Sequence, residues 1–201
     1  MLRSFAVVLS ALLLPAAPAP KAPLAGHAEL SYTADGKMNF PENYREWIYL
    51  TSGLGMSYSA SASGHQMFDN VFVNPTAYKS FLATGTWPNK TVLVLEVRNS
   101  ETRASIDQHG HSQSEVMGVE VHVRDEKLPG KWGFFEFDNH APAKLTPRPA
   151  DCYSCHEAHA AVDTTFVQFY PTLIGLAKEK KTLSPAYLQE MPGAARVSPT
   201  P

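Results

Sequence analysis

The sequence predicts a mainly β (α+β) fold with strands first and helix last. Two observations predict it. Five segments between Asn43 and Asp138 alternate or run apolar at strand length, and the long helical stretch, Phe166 to Lys181, follows them.

Asn43 to Ser52, with Tyr-Arg-Glu-Trp-Ile-Tyr-Leu, opens the domain as a strand. Gly53 to Gly64 is a Gly/Ser-rich loop. Met67 to Val73 is the second strand, stopped by Asn74-Pro75. Thr76 to Thr84 reads as a short helix: Tyr78, Phe81 and Leu82 share one face, and Gly85 caps the end. Thr91 to Val97 is a strongly apolar strand. Asn99 to Gln113 is polar and holds the loop His109-Gly110-His111. Val116 to Arg124 alternates, with Val119, Val121 and Val123 on one face and Gly118, Glu120, His122 and Arg124 on the other. Trp132 to Asp138, rich in Phe, is a further strand. Phe166 to Lys181 is expected to be helical, interrupted by Pro171.

The chain has 201 residues and a formal net charge of -2. That balance offers no basic surface to nucleic acid or to an acidic membrane. It begins Met1-Leu2-Arg3, runs apolar from Phe5 to Leu14 and turns small and Pro-rich from Pro15 to Pro23. These are the parts of a secretory signal peptide, too short to span a bilayer. No cysteine follows the apolar run, which argues against a lipoprotein anchor. Residues 1–25 are expected to be a signal peptide and Ala/Pro-rich lead, cut between Ala17 and Ala28. Residues 26–185 should form one domain, and residues 186–201 a disordered tail. The expected location is the periplasm.

The tightest motif is Cys152-Tyr153-Ser154-Cys155-His156. Two thiols separated by two residues, with a histidine directly after, form the attachment pattern of a c-type haem. Each thiol adds to a vinyl group on neighbouring pyrroles, and the next residue carries its imidazole under the ring to the iron. These are the only cysteines, so a structural zinc site would have to recruit His or carboxylate ligands. A thioredoxin-like pair has no use for the adjacent histidine. One covalently attached haem c, with His156 as proximal iron ligand, is the expected cofactor. Small helical cytochromes c carry this motif near the N-terminus, whereas here β-patterned chain precedes it. A sheet should then cover the distal face, which suits a small-ligand pocket better than a six-coordinate electron carrier.

Several pieces recur in the order seen in the cytochrome P-460 family, which includes the sheet-based cytochromes c′-beta. They are Tyr44-Arg45-Glu46-Trp47, Phe72 to Tyr78 (Phe-Val-Asn-Pro-Thr-Ala-Tyr), Gly85-Thr86-Trp87-Pro88, Thr91 to Glu96, Gly130 to Phe135, Cys152 to His156, and Phe166 to Pro171. The similarity spans about residues 38 to 180. Each piece alone is weak, and their order and spacing together are specific. The resemblance implies a single, mostly antiparallel sheet domain with a C-terminal haem-attachment segment and helix, often dimeric, with His156 proximal. It also implies a distal pocket for hydroxylamine and nitric oxide in the enzymes, or nitric oxide and carbon monoxide in the c′-beta proteins.

The departures carry information. In the hydroxylamine-oxidising members a lysine beside the strand glutamate bonds to the haem, and that position here is Leu95, just before Glu96. Lys90 lies five residues earlier and would face the other side of a continuous strand. A distal-pocket arginine of the family aligns with Asp69. The family's distal carboxylate, a proton acceptor, corresponds to Glu120. If buried by haem, its pKa should rise, which suits that role; without the resemblance it reads as part of a solvated face. Leu95 reads as a distal wall or as ordinary core. Phe68, Phe72, Phe134 and Phe135 are candidates to cap the iron, though such aromatics usually form core. Met67 or His65 as sixth ligand, His109 and His111 as a metal pair, and Arg148 as a propionate partner each compete with simple surface placement.

Two functions stay open. One is a gas-binding cytochrome holding nitric oxide or carbon monoxide against an apolar wall that includes Leu95. The other is an oxidoreductase acting on hydroxylamine or nitric oxide, with Glu120 taking protons and electrons leaving to a periplasmic cytochrome c. The missing lysine favours the first. Plain electron transfer is a weaker third, and a homodimer is a further expectation.

Overall fold

The computed structural model describes residues 29–57, 64–102, 105–106 and 108–191. The expected signal peptide and the last ten residues of the tail lie outside these. Five strands, β1 (Ile48–Leu54), β2 (Met67–Val73), β3 (Thr91–Thr102), β4 (His111–Arg124) and β5 (Trp132–Phe137), form one sheet in sequence order. Every neighbouring pair is antiparallel, as a meander with short connections requires.

The first strand starts later than expected. Tyr44–Glu46 is a 3-10 turn. The amides of Tyr44, Glu46 and Trp47 bond to the carbonyls of Pro41, Asn43 and Tyr44, so they are spent locally and unavailable to β2. The β3/β4 hairpin is longer than 91–97 and 116–124. Its outer half is polar or exposed on both faces, so no alternation of burial marks it in the sequence.

Helix α1 (Pro75–Thr84) has Pro75 in its first turn and Gly85 in the left-handed conformation at its end. A Cβ on Gly85 would meet the Cβ of Lys180 at 2.7 Å, so only glycine lets the two segments approach. Asn74 ties the helix start to β3: its Oδ1 accepts from the Val92 amide at 2.9 Å and its Nδ2 donates to the Lys90 carbonyl at 3.2 Å. Helix α2 (Asp151–His159) carries the cysteine motif. A 3-10 turn, Val167–Phe169, then leads to α3 (Pro171–Lys180). Pro171 thus begins a helix instead of interrupting one, because a first-turn position needs no amide donor. A short α4 (Pro185–Glu190), capped by the Ser184 hydroxyl, places ordered chain beyond the boundary expected at residue 186.

Both sheet faces are covered. Val119, Val121 and Val123 pack with Val92, Val94 and Phe135 beneath Met38, Phe40, Tyr44 and Trp47. Leu93 and Val73 pack on the opposite face against α1 and α3 through Phe81, Leu173 and Ala177. Each such side chain contributes about 1.5–3 kcal/mol when fully buried. Where the helices leave the second face, beside α2, a cavity opens. No helix among the described residues is long and apolar enough to cross a membrane.

Candidate haem site

The site is built from α2 upward. Tyr153 is buried, and its hydroxyl donates to the Thr146 carbonyl at 2.8 Å, anchoring the helix. Asp151 in the first turn suits the positive end of the helix dipole. Cys152, Cys155 and His156 occupy positions i, i+3 and i+4, which share one helix face. Both thiols are free and half-buried, and burial pushes each above its ordinary pKa. The Nδ1–H of His156 donates to the Thr164 carbonyl at 2.7 Å. Burial holds the ring below its ordinary pKa, so it is neutral at pH 7. With Nδ1 protonated and bonded, Nε2 carries the lone pair a metal needs.

His156 lines a cavity of about 620 Å³, inside the range of roughly 300–1,000 Å³ common for cofactor and ligand sites. Neither cysteine is part of that wall; both stand beside it on α2. The sheet supplies one side in two rows. Val71, Leu95 and Glu120 are cross-strand partners on β2, β3 and β4, and Leu93, His122 and Phe134, on β3, β4 and β5, form the next row. Thr51, Leu54 and Asp69 extend the sheet wall, and Phe166, Phe169 and Tyr170 face it from the other side.

These residues fit a haem. A bare ion would need a cluster of three or more His, Cys, Asp or Glu ligands, and none exists among the described residues. A porphyrin brings four nitrogens of its own and asks the protein for one imidazole, an apolar slot and, for haem c, two adjacent thiols.

Two carboxylates belong to the wall. Glu120 keeps exposed surface toward the cavity, yet its pKa is raised, first by burial and then by Glu136 and Asp69. Burial also raises Asp69. Leu95 is half-buried between Val71 and Glu120. Glu96 points to the opposite face, where Tyr44, Arg45 and Arg98 hold it.

Other candidates fall elsewhere. Lys90 is paired with Asp125 at 2.5 Å, away from the cavity. The Arg148 guanidinium is taken by Glu157 at 2.9 Å and lies over the Tyr153 ring at 4.2 Å; its nearness to the motif in sequence does not bring it to the cavity wall. Of the four phenylalanines only Phe134 lines the cavity. Phe135 and Phe72 pack in the core of the far face, and Phe68 shares Phe72's side of β2. Met67, His65 and His111 line a neighbouring cavity with Asp69. His65 is bonded to Asn99, and His111 begins β4 with its Nδ1 2.9 Å from the Ser100 hydroxyl. His109 is exposed.

Three functional residues escape the sequence reading. His122 is buried, its ring stacked on Phe134 at 4.0 Å and edge-on to His156 at 4.9 Å. Its Nε2 lies 3.3 Å from the Thr164 hydroxyl. Burial and the nearby His156 drive its pKa well down, so it is a neutral ring. Thr164 therefore joins the two imidazoles, by its carbonyl to one and its hydroxyl to the other. Tyr170 is the third, a buried phenol on the cavity wall. Alternation places His122 on Glu120's face; only the fold places it against His156.

No curated protein matches this chain. The sequence model of the family Cytochrome P460 matches residues 41–167, more than half the chain, from before β1 to beyond the cysteine motif. The match takes in every strand, α2 and Thr164. This protein belongs to the cytochrome P460 family, a family of haem cytochromes.

Proposed function

We propose that this cytochrome is a periplasmic mono-haem c-type protein whose cavity binds nitric oxide or carbon monoxide. The observation that carries the reading is His156: one nitrogen is fixed by Thr164, the other is free to bind iron, and the ring borders a mostly apolar cavity. Cys152 and Cys155 would hold the haem by thioether bonds. A haem held by His156, Cys152 and Cys155 would supply an iron able to bind a small neutral ligand.

The rest is the work of side chains. Thr164 keeps His156 in one tautomer and one orientation. Val71, Leu93, Leu95 and Phe134 line the space without offering a hydrogen bond, which favours neutral diatomics over polar ligands. His122 stands beside His156, with its Nε2 engaged by Thr164, so its ring is already committed within the protein. The Met56 thioether folds against β1, where a Cβ on Gly53 would sit 2.0 Å from its sulfur. With both side chains placed in this way, ligand binding is favoured over plain electron transfer. Covalent attachment of haem occurs outside the inner membrane, which agrees with the signal-like residues 1–25 and supports the periplasm.

One observation favours a second reading, oxidation of hydroxylamine or nitric oxide. Glu120 and Asp69 put two carboxyls with raised pKa on the wall. A carboxylate of raised pKa is a stronger base, and Glu120 could accept a proton while electrons pass to a periplasmic cytochrome c. Leu95 weighs against it, having no amine to bond to a haem edge.

The test is the optical spectrum of the purified ferrous protein before and after nitric oxide. A high-spin spectrum without a red-shifted Soret band, converting on nitric oxide addition, is expected. A red-shifted band would return hydroxylamine oxidation to first place. A sharp low-spin spectrum indifferent to nitric oxide would refute both. Denaturation should leave haem on the chain, and replacing both cysteines by serine should release it.

A further inference from the structure

The cavity wall carries charge of one sign. Glu120 and Asp69 line it, and among the described residues no lysine or arginine does. The two imidazoles that border it, His122 and His156, are held below their ordinary pKa and bring no positive charge. The two arginines of the sheet are spent elsewhere. Arg98 holds Glu96 on the far face, and Arg124 meets Asp163 and the Trp87 carbonyl.

Nothing neutralises the two acids. Burial raises the pKa of Asp69, and burial with the charges of Glu136 and Asp69 raises that of Glu120; neither has a cation or a hydrogen bond acting the other way. They are also spaced along the wall. Glu120 pairs with Leu95, and Asp69 pairs with Val97, two residues further along β3. Two residues of strand span about 6.6–6.8 Å. A small ligand anywhere along this wall therefore lies within the field of one carboxylate or the other. An anion entering the cavity would shed water and meet like charge. A neutral diatomic meets neither cost.

We propose that Asp69 and Glu120 set the charge rule of this cavity: neutral ligands bind, and small anions such as azide or nitrite are turned away. This rests on the gas-binding reading above. It adds a discrimination by charge to the one made by the apolar lining.

The experiment compares azide with nitric oxide, one anionic and one neutral, by optical titration of the full-length, haem-loaded ferric protein at pH 8. Asp69→Asn and Glu120→Gln each remove one charge and keep the shape. The ratio of azide to nitric oxide affinity should rise about two- to fifteenfold in each variant, the effect of a unit charge across ~10 Å at an effective dielectric between about 80 and 20. Added salt should strengthen azide binding in wild type more than in the variants, because screening acts on charge and not on shape. An unchanged ratio in either variant overturns the proposal. So does an equal gain for both ligands, which would assign the acids to the shape of the cavity. So does a salt response that the variants share with wild type. If the wild-type protein binds no nitric oxide, the gas-binding reading fails and this proposal fails with it; if wild type binds and the ratio stays fixed, only the proposal fails.

Discussion

Behind the cavity wall, Glu96 acts as a strut, and replacing it with glutamine tests how the wall is held. Its neighbour Leu95 faces the cavity while Glu96 turns to the other side of β3 and is 2% exposed. It accepts from the Tyr44 hydroxyl at 2.5 Å, from Arg45 Nε at 2.7 Å and from Arg98 Nε at 2.5 Å. Burial opposes its ionisation, but the bonds from Arg98, Tyr44 and Arg45 outweigh it and hold the carboxyl below its ordinary value. Glutamine keeps the shape and one acceptor and loses the charge. A hydrogen bond to a charged group contributes about 1.5–3 kcal/mol against about 1 for a neutral one. The Arg45 side chain is 55% exposed, so its share is screened. The expected loss is about 2–3 kcal/mol, or roughly 4–12 °C in Tm for a chain of this size. The sign with pH follows from the depressed carboxyl. Its stabilisation is present above the unfolded value, near 4.5, and drains as pH falls through the lower folded value. Thermal unfolding followed by circular dichroism should show a wide gap between wild type and Glu96→Gln at pH 7 and a narrow one near pH 3. An equal gap at both pH values, or none at pH 7, would refute the reasoning.

Three further outcomes are expected. His122→Leu removes the partner of the Thr164 hydroxyl and should shift the haem reduction potential with haem still attached; a wild-type potential would show that Thr164 holds His156 unaided. Leu95→Lys sets an amine beside Glu120, its cross-strand partner; a red-shifted Soret band is expected if residue 95 borders the porphyrin edge, and an unshifted band would place it elsewhere. Asp69→Asn removes one of the like charges that raise Glu120. The wall carboxyl should then ionise at lower pH, read as a downward move in any pH transition of the ferric spectrum, and an upward move would contradict the assigned coupling.

Local chemistry alone was enough for much of this protein. Met67 to Val73 reads as a strand from its composition, and Asn74-Pro75 and Gly85 bound α1 because cap and turn preferences depend on neighbours in the chain. The valines at 119, 121 and 123 identify their buried face because the period of a strand is two. The cysteine pair with its histidine carries its meaning within five residues. What tertiary structure decided is non-local. Tyr44–Glu46 turns instead of pairing, since its amides find carbonyls nearby. The outer β3/β4 hairpin extends because its two strands meet each other, without a buried face to announce it. Arg148 is spent on Glu157 and Tyr153 despite its position next to the motif. Thr164 lies 42 residues from His122 and eight from His156, and no periodicity joins them. The Tyr170 side chain carries no mark in the sequence; that it lies buried beside a cavity depends on which surfaces pack together, and packing is decided by the whole chain at once.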